Sequence, residues 1–426
     1  MRIERIEWDG ADPSALAARL RESAPGLEDV SQAVAGVIAR VREGGDAAVR
    51  ELAEQFGEAT PDGPRVPADA VAAAPGLLEP ELREALRVAA ANIEAVARAE
   101  LVELERPTAI ELEQGQRVEL NSAPVAAAGV YAPGGRASYP SSVLMAAIPA
   151  RVAGVGRVVV ATPPGGGGRP SAPVLAACAL AGVDEVYSVG GAQAIAALAY
   201  GTDTIAPVNV IAGPGNRYVT EAKRQVAGRV GIDGLAGPSE LMVLADGSAT
   251  AEWLALDLCA QGEHGDDSQV AAVSTDPALL DRVEELVEQI AAERPSIADA
   301  PFALVTAPGI ELALALADAY APEHLELAFA GADEATARAR VAGCVFVGSG
   351  GATAFGDYVA GSNHVLPTGG AARWGSPLGP GAFMRRGSVV SIRSAAAAQL
   401  APHVAALAAA EGFPVHGESA SVRGRR

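Results

Sequence analysis

The sequence predicts an α/β protein built on parallel sheets, with smaller helical elements at its two ends. Three observations carry that prediction. From about residue 125, short runs rich in Val and Ile such as "RVVVAT" and "EVYSVG" alternate with Ala-rich stretches such as "SAPVLAACALAGV" and "AQAIAALAYGT". Strands and helices that alternate in this way form parallel sheets with helices on their faces. The first quarter instead spaces its apolar residues at three- and four-residue steps over 28–57 and 79–105, the period of an amphipathic helix. At 426 residues the chain is long enough for two or more domains of about 100–200 residues each.

In chain order, the expected organisation begins with an amino-terminal element over 1–27 and a helical segment over 28–127 that packs with the second α/β unit. One α/β domain follows over 128–236, where "PVAAAGVYAP", "RVVVAT", "EVYSVG" and "PVNVIAG" supply strands. A second runs over 237–384, with strands in "GPSELMVLA", "DSQVAAVST", "FALVTA" and "GCVFVGS" and helices near 249–260, 276–293 and 310–320. Within it, 348–381 is Gly-rich and aperiodic; loops of that length are functional or disordered, and its aromatic and His content argues against disorder. A tail over 385–426 completes the chain, its "SVRGRR" end read as mobile. "PPGGGG" at 163–168 does not match the dinucleotide-binding glycine pattern and receives no phosphate role.

Composition removes several function classes. Lys plus Arg total 32 against 52 Asp plus Glu, a formal charge of −20, which repels a phosphate backbone and argues against nucleic acid as a partner. Lys223 is the only lysine, so there is no phosphate-loop lysine motif, and a Schiff-base enzyme would have to use that residue. Cys178, Cys259 and Cys344 lie far apart in apolar runs and read as reduced thiols of a cytoplasmic protein. The start "MRIERIEWDG" has no apolar secretory core. No stretch reaches the roughly 20 apolar residues of a membrane span, since "SAAAAQLAPHVAALAAAEG" is interrupted by Gln399, Pro402 and His403.

Five histidines exist, and four lie in compact polar motifs: His264 in "QGEHG", His324 in "APEHLE", His364 in "GSNHVLP" and His416 in "EGFPVHG". His403, on an apolar helix, reads as a surface or packed residue. Gln261 and His264 are three apart at the end of a helical pattern and so project from one face, although such a pair can equally be solvated or cap the last carbonyls. Together with Asp357 and His416 they form a nitrogen and oxygen set suited to zinc or another first-row metal, without the thiolates of a structural zinc site. Glu323 beside His324 is either an acidic helix start or a carboxylate and an imidazole placed for two different proton transfers. Glu411 can be read as a further site carboxylate or as a charge at a helix end. Tyr131, Gln193, Asn216 and Ser239 are the polar members of four Gly/Pro loops, "VYAPGG", "VGGAQAIAA", "IAGPGNRYV" and "AGPSE", each following an expected strand. Ligands bind at such strand ends in open parallel sheets, and Gly and Pro also simply make turns.

Taken jointly, the motifs resemble the histidinol dehydrogenase family over about residues 28–416. The resemblance is densest in "VYAPGGRASYPSSVLMAAIPA", "GPGNRYVTEAKRQV", "VGIDGLAGPSE", "QGEHGDDSQ", "YAPEHLEL" and "GDYVAGSNHVLPTGGAAR". It implies two incomplete Rossmann-like domains with small terminal elements, and a homodimer whose tail crosses into the partner's active site. It also implies one zinc ion per subunit and oxidation of L-histidinol through L-histidinaldehyde to L-histidine with two NAD. By position, it implies Gln261, His264, Asp357 and His416 as zinc ligands and Glu323 and His324 as the acid/base pair. Ser239, Gln261, His264, His324, Asp357, Glu411 and His416 become substrate contacts, and Tyr131, Gln193 and Asn216 cofactor contacts. Gly262, the "FPV" before His416 and Ala382 depart from the family pattern, while every ligand and acid/base position matches. Two rival readings remain: a zinc hydrolase in which Glu323 works on metal-bound water without a cofactor, and a scaffold on this fold for which the motifs are incidental.

Overall fold

Two runs of alternating strands and helices dominate the computed structural model, which describes all residues except 1, 23–29, 59, 61–62, 107, 135–137, 298–299 and 425–426. The chain opens with β1 (Arg2–Glu7), α1 (Pro13–Arg21), α2 (Ser31–Gln55), α3 (Ala68–Ala73), α4 (Pro80–Leu104), β2 (Thr108–Glu111) and β3 (Arg117–Pro124). The first alternating run comprises β4 (Ala127–Tyr131), α5 (Pro140–Val152), β5 (Arg157–Thr162), α6 (Ala172–Leu180), β6 (Glu185–Ser188), α7 (Gly191–Tyr200), β7 (Val210–Ala212), α8 (Arg217–Val226) and β8 (Gly231–Ile232). The second comprises β9 (Glu240–Ala245), α9 (Ala251–Gly262), β10 (Gln269–Ser274), α10 (Pro277–Glu293), β11 (Pro301–Thr306), α11 (Ile310–Tyr320), β12 (His324–Ala328), α12 (Ala332–Ala335), β13 (Cys344–Val347) and α13 (Thr353–Tyr358). β14 (Met384–Ser391), α14 (Ser394–Glu411) and α15 (Pro414–Arg423) close the chain.

The first sheet has the order β6-β5-β4-β7-β8 and the second β1-β11-β10-β9-β12-β13, and every pairing in both is parallel. This is the expected α/β class. Strands β4, β9 and β10 are buried along their whole length, as expected of sheets covered on both faces. In the first sheet the strand order reverses between β4 and β7, and in the second between β9 and β12. Those two reversals locate the candidate site.

The helical segment over 28–127, expected on the second unit, packs chiefly on the first; it meets the second through α4, where Asn92 donates to the Val359 carbonyl at 2.7 Å. α2 lies on α7 and α8, and α4 on α5 and α6. Val34, Ile38, Val41, Val49 and Leu52 of α2 share a core with Tyr131, Val159, Ile195 and Leu198. Helical periodicity shows which face is apolar and says nothing about which sheet receives it. Truncating a side chain as deeply buried as Leu52 or Ile93 to Ala costs about 2–5 kcal/mol.

Three further departures concern weakly apolar segments. The amino-terminal element is not only helical: β1 adds an edge strand to the second sheet beside β11, and of "RIERIE" only Ile6 is buried. β14, β3 and β2 form a separate antiparallel sheet, exposed along much of its length, so it lacks the apolar run that announces a strand. The end expected to be mobile is helical through Arg423, and its last two residues lie outside the described ones.

Candidate active site

At the carboxyl edge of the first sheet, Tyr131 ends β4, Gln193 lies in the first turn of α7, and Asn216 caps α8 by accepting from the Tyr218 and Val219 amides. Tyr131 and Asn216 thus flank the strand reversal, where an open parallel sheet leaves a crevice. The turn after β7 is tightly built. A Cβ on Gly213, whose φ is +115°, would lie 2.1 Å from the Tyr131 carbonyl oxygen, so only glycine fits there. The lone lysine serves this turn: buried Lys223 donates to the Gly213 carbonyl at 3.0 Å and pairs with Asp233, which accepts from the Gly213 amide at 2.8 Å. Gln193 donates to Glu58 at 3.1 Å; the same carboxylate accepts from the Gly190 amide at 3.1 Å, and burial raises its pKa. The Tyr131 hydroxyl accepts from the Gly191 amide at 3.0 Å.

The second sheet contributes its amino edge, and "AGPSE" leads from β8 in the first sheet into β9 of the second. Ser239 immediately precedes β9, Glu323 and His324 stand at the start of β12, and His264 lies between α9 and β10. Glu323 is not at a helix start; it leads into a strand, because Ala321 ends α11 in the left-handed conformation at φ 55°. β9 and β12 are the reversal strands, and Glu240 bridges them. Its amide donates to Glu323 Oε2 at 2.8 Å, its carbonyl lies 3.1 Å from His324 Nδ1, and its carboxylate accepts from the Glu323 amide at 3.2 Å.

These contacts set the protonation states. A carbonyl only accepts, so His324 Nδ1 carries the hydrogen and Nε2 keeps a free lone pair. Nε2 faces Asp357, whose Oδ1 is 3.8 Å away. Burial lowers the His324 pKa, which keeps the ring neutral, and burial pushes the Glu323 carboxyl well above its usual range, with the Glu240 and Asp357 charges acting the same way. A neutral imidazole with a free nitrogen is a ready proton acceptor, and a carboxyl with a raised pKa is a stronger base once ionised.

Asp357 lies on α13, a helical turn inside the Gly-rich stretch. His264 and Asp357 both act electrostatically on His324 and on His364. His364 has its Nδ1 2.7 Å from the Asp357 carbonyl and its Nε2 3.4 Å from Ser142 of α5, while Asn363 donates to the Met145 carbonyl. That loop therefore joins the second unit's site to the first unit's helix. Gln261 is buried at the end of α9, and its Nε2 has no hydrogen-bond partner among the described residues, a cost unless a further group meets the amide. Among the described residues no three of His, Cys, Asp and Glu stand close enough to hold a metal, so His416 does not join His264 and Asp357 within one chain. Glu411 and His416 are exposed on the α14–α15 hairpin, where His416 meets the Phe413 ring at 5.4 Å.

The sequence reading passed over Glu240, Glu58 and a structural role for His364. An acidic residue opening a buried strand, as in "GPSELMVLA", was the available signal for the first. It also passed over Glu326 on β12 and Asp257 on α9. Burial, reinforced by Asp257, pushes Glu326 up to about 8, and Glu326 Oε2 has no partner among the described residues. Burial pushes Asp257 up to about 6. Because Glu326 is held neutral in the fold but ionises in the unfolded chain above its ordinary 4.5, stability is full below that pH and falls as pH rises toward 8. The loss is on the order of 3 kcal/mol at neutral pH. Glu326→Gln should melt higher than the wild type at about pH 8 and match it near pH 5; a difference independent of pH in thermal melts would contradict this.

Comparison with known proteins places these residues in context. A family model described as histidinol dehydrogenase matches residues 20–424. The histidinol dehydrogenase of Rhodospirillum rubrum is 46% identical, covering 100% of this chain and 99% of its own, and that of Cereibacter sphaeroides is 47% identical, covering 97% and 95%. The crystal structure of histidinol dehydrogenase from Elizabethkingia anophelis matches with a TM-score of 0.91 at 33% identity, covering 99% of this chain and 98% of that one.

Proposed function

The chain belongs to the histidinol dehydrogenase family, and from that membership we propose how its residues divide the reaction. It is an NAD-dependent oxidoreductase that takes L-histidinol through L-histidinaldehyde to L-histidine, the last steps of histidine biosynthesis. The hydrolase and scaffold readings are set aside.

The observation that carries the assignment of roles is the fixed tautomer of His324, whose unprotonated Nε2 faces Asp357 while Glu323 stands 3.6 Å from its other nitrogen. His324 takes the hydroxyl proton as hydride leaves the same carbon for NAD. Water then adds to the aldehyde: Glu323 accepts the proton that water loses, and His324 returns the proton it took in the first oxidation to the aldehyde oxygen, which completes the hydrate and leaves the imidazole neutral again. A second hydride leaves the hydrate for a second NAD, and His324 again takes the hydroxyl proton, so each oxidation releases one proton and one NADH. Ser239, Gln261, His264, His324, Asp357, Glu411 and His416 contact substrate in this reading; Tyr131, Gln193 and Asn216 contact NAD in the crevice over the first sheet.

Gln261, His264 and Asp357, with His416 of a second copy, would hold one zinc ion. The donor set fits: one amide oxygen, one carboxylate and two imidazoles are nitrogen and oxygen donors throughout. When bound, the metal supplies ligand sites for the amine and imidazole of histidinol and so orients the carbinol carbon. The second copy follows from the tail. α14 and α15 pack on each other and bury chiefly Ala396, Ala401, Ala408 and Gly417, leaving Leu407, Phe413 and Val415 exposed, an apolar surface suited to a homodimer contact. No described helix is long and apolar enough to cross a membrane, and consumption of NAD together with free thiols at Cys178, Cys259 and Cys344 supports a cytoplasmic location.

Purified protein given histidinol and NAD should form about two NADH per histidine produced, by the electron balance of alcohol to acid. Chelation should abolish that activity, with recovery on adding zinc, and should leave the circular dichroism spectrum unchanged, since the cores hold no metal ligands. NADH formation untouched by exhaustive chelation, or global unfolding on metal removal, would contradict the assignment.

A further inference from the structure

Three of the hydrogen bonds that orient Glu323 and His324 come from one residue, Glu240, and Glu240 is itself held from outside the sheet. Its carboxylate, 2% exposed, accepts from the Gly369 amide at 3.0 Å and from the guanidinium of Arg21 at the end of α1. Arg21 also donates to the carbonyls of Tyr320 and Ala321 and stacks 3.8 Å over the Tyr320 ring. Ala321 is one of two non-glycine residues with positive φ among those described, at 55°, a conformation that costs about 1 kcal/mol or more unless its surroundings impose it. The turn it makes delivers Glu323 two residues later. Tyr320 is tied down in turn, its hydroxyl donating to Gln269 at 2.6 Å while the Gln269 amide donates to the Arg21 carbonyl at 3.3 Å.

Without Arg21, the Glu240 carboxylate would be a buried charge facing Glu323, and the left-handed turn would lose the donor on its carbonyls. The planar fork suits this task because one guanidinium reaches a carboxylate and two carbonyls while its face lies on a ring. We propose that Arg21 is a positioning residue for the acid/base pair: it acts through Glu240 and the Ala321 turn, and touches neither substrate nor cofactor. The amino-terminal helix is then a working part of the active site. The proposal rests on Glu323 and His324 being that pair.

The test is a set of full-length variants assayed for kcat and KM on histidinol and on histidinaldehyde: Arg21→Met, Arg21→Lys, Glu240→Gln, the Arg21→Met/Glu240→Gln double variant, and His324→Ala as a reference. Arg21→Met should lower kcat on the order of 10²-fold through misplacement of the pair, with both KM values within about threefold of wild type. Arg21→Lys keeps the charge but loses the fork, and should recover roughly tenfold of that loss. The double variant should be no slower than Arg21→Met within about twofold, because the two residues act as one unit. Wild-type kcat in Arg21→Met, a rise in KM alone, or losses that multiply in the double variant would overturn the proposal. Should Arg21→Met not fold, Arg21→Lys decides: a kcat loss at unchanged KM supports positioning, and wild-type kcat refutes it. Full activity in His324→Ala would refute the pair itself, and the positioning role with it; an inactive His324→Ala beside a fully active Arg21→Met refutes the positioning role alone.

Discussion

His324→Ala should slow the oxidation of histidinol to the aldehyde by about 10²–10⁴-fold, the usual contribution of a general base. The group lost carries a free Nε2 lone pair 3.8 Å from the Asp357 carboxylate. Glu323→Gln should act elsewhere, impairing aldehyde-to-acid conversion by a similar factor while leaving the first oxidation closer to wild type. Gln keeps an oxygen that can accept from the Glu240 amide, so the turn should persist while the proton acceptor for water is gone. Single-turnover formation of NADH from histidinol, and separately from histidinaldehyde, resolves the two steps. Equal and small losses in both steps for both variants would refute the division of labour.

What could be read in the sequence followed from local physics. Strands such as β5 and β9 are buried and apolar through their interiors, and Glu323 and His324 are neighbours in the chain, so their proximity required no fold. Gln261 stands on the last turn of α9 and His264 in the turn beyond its end, so helical spacing does not extend to the pair. What escaped depends on long-range contacts. β1 carries charges at Arg2, Glu4, Arg5 and Glu7 and becomes a strand because β11 offers it an edge. The α2 stripe fits the first sheet because α7 and α8 are there to receive it. Asp357 gains its direction from a helix of only six residues inside a Gly-rich stretch, too short to show a period. Arg21 and Glu240 are 219 residues apart, and nothing local to either names the other. Ser239, Glu323 and His324 stand at the amino edge of the second sheet, Tyr131 and Asn216 at the carboxyl edge of the first, a difference that depends on the sheet order and not on any local pattern.

The most direct test of the account is whether one site is built from two chains. Within a single chain, His416 and Glu411 are exposed on a hairpin that packs chiefly on itself, while Asp357 lies 3.8 Å from His324 and His264 acts on the same ring. His416→Ala and His264→Ala should each abolish most activity as homodimers, since every site then lacks one of the proposed zinc ligands. Mixed under conditions that exchange subunits, the two inactive variants yield heterodimers in which one site carries both changes and the other carries neither. Random exchange of equal amounts makes about half the dimers mixed, each with one intact site, so activity should return to roughly a quarter of wild type. If exchange is verified by native mass measurement and no activity returns, the tail serves its own subunit and the shared site is refuted.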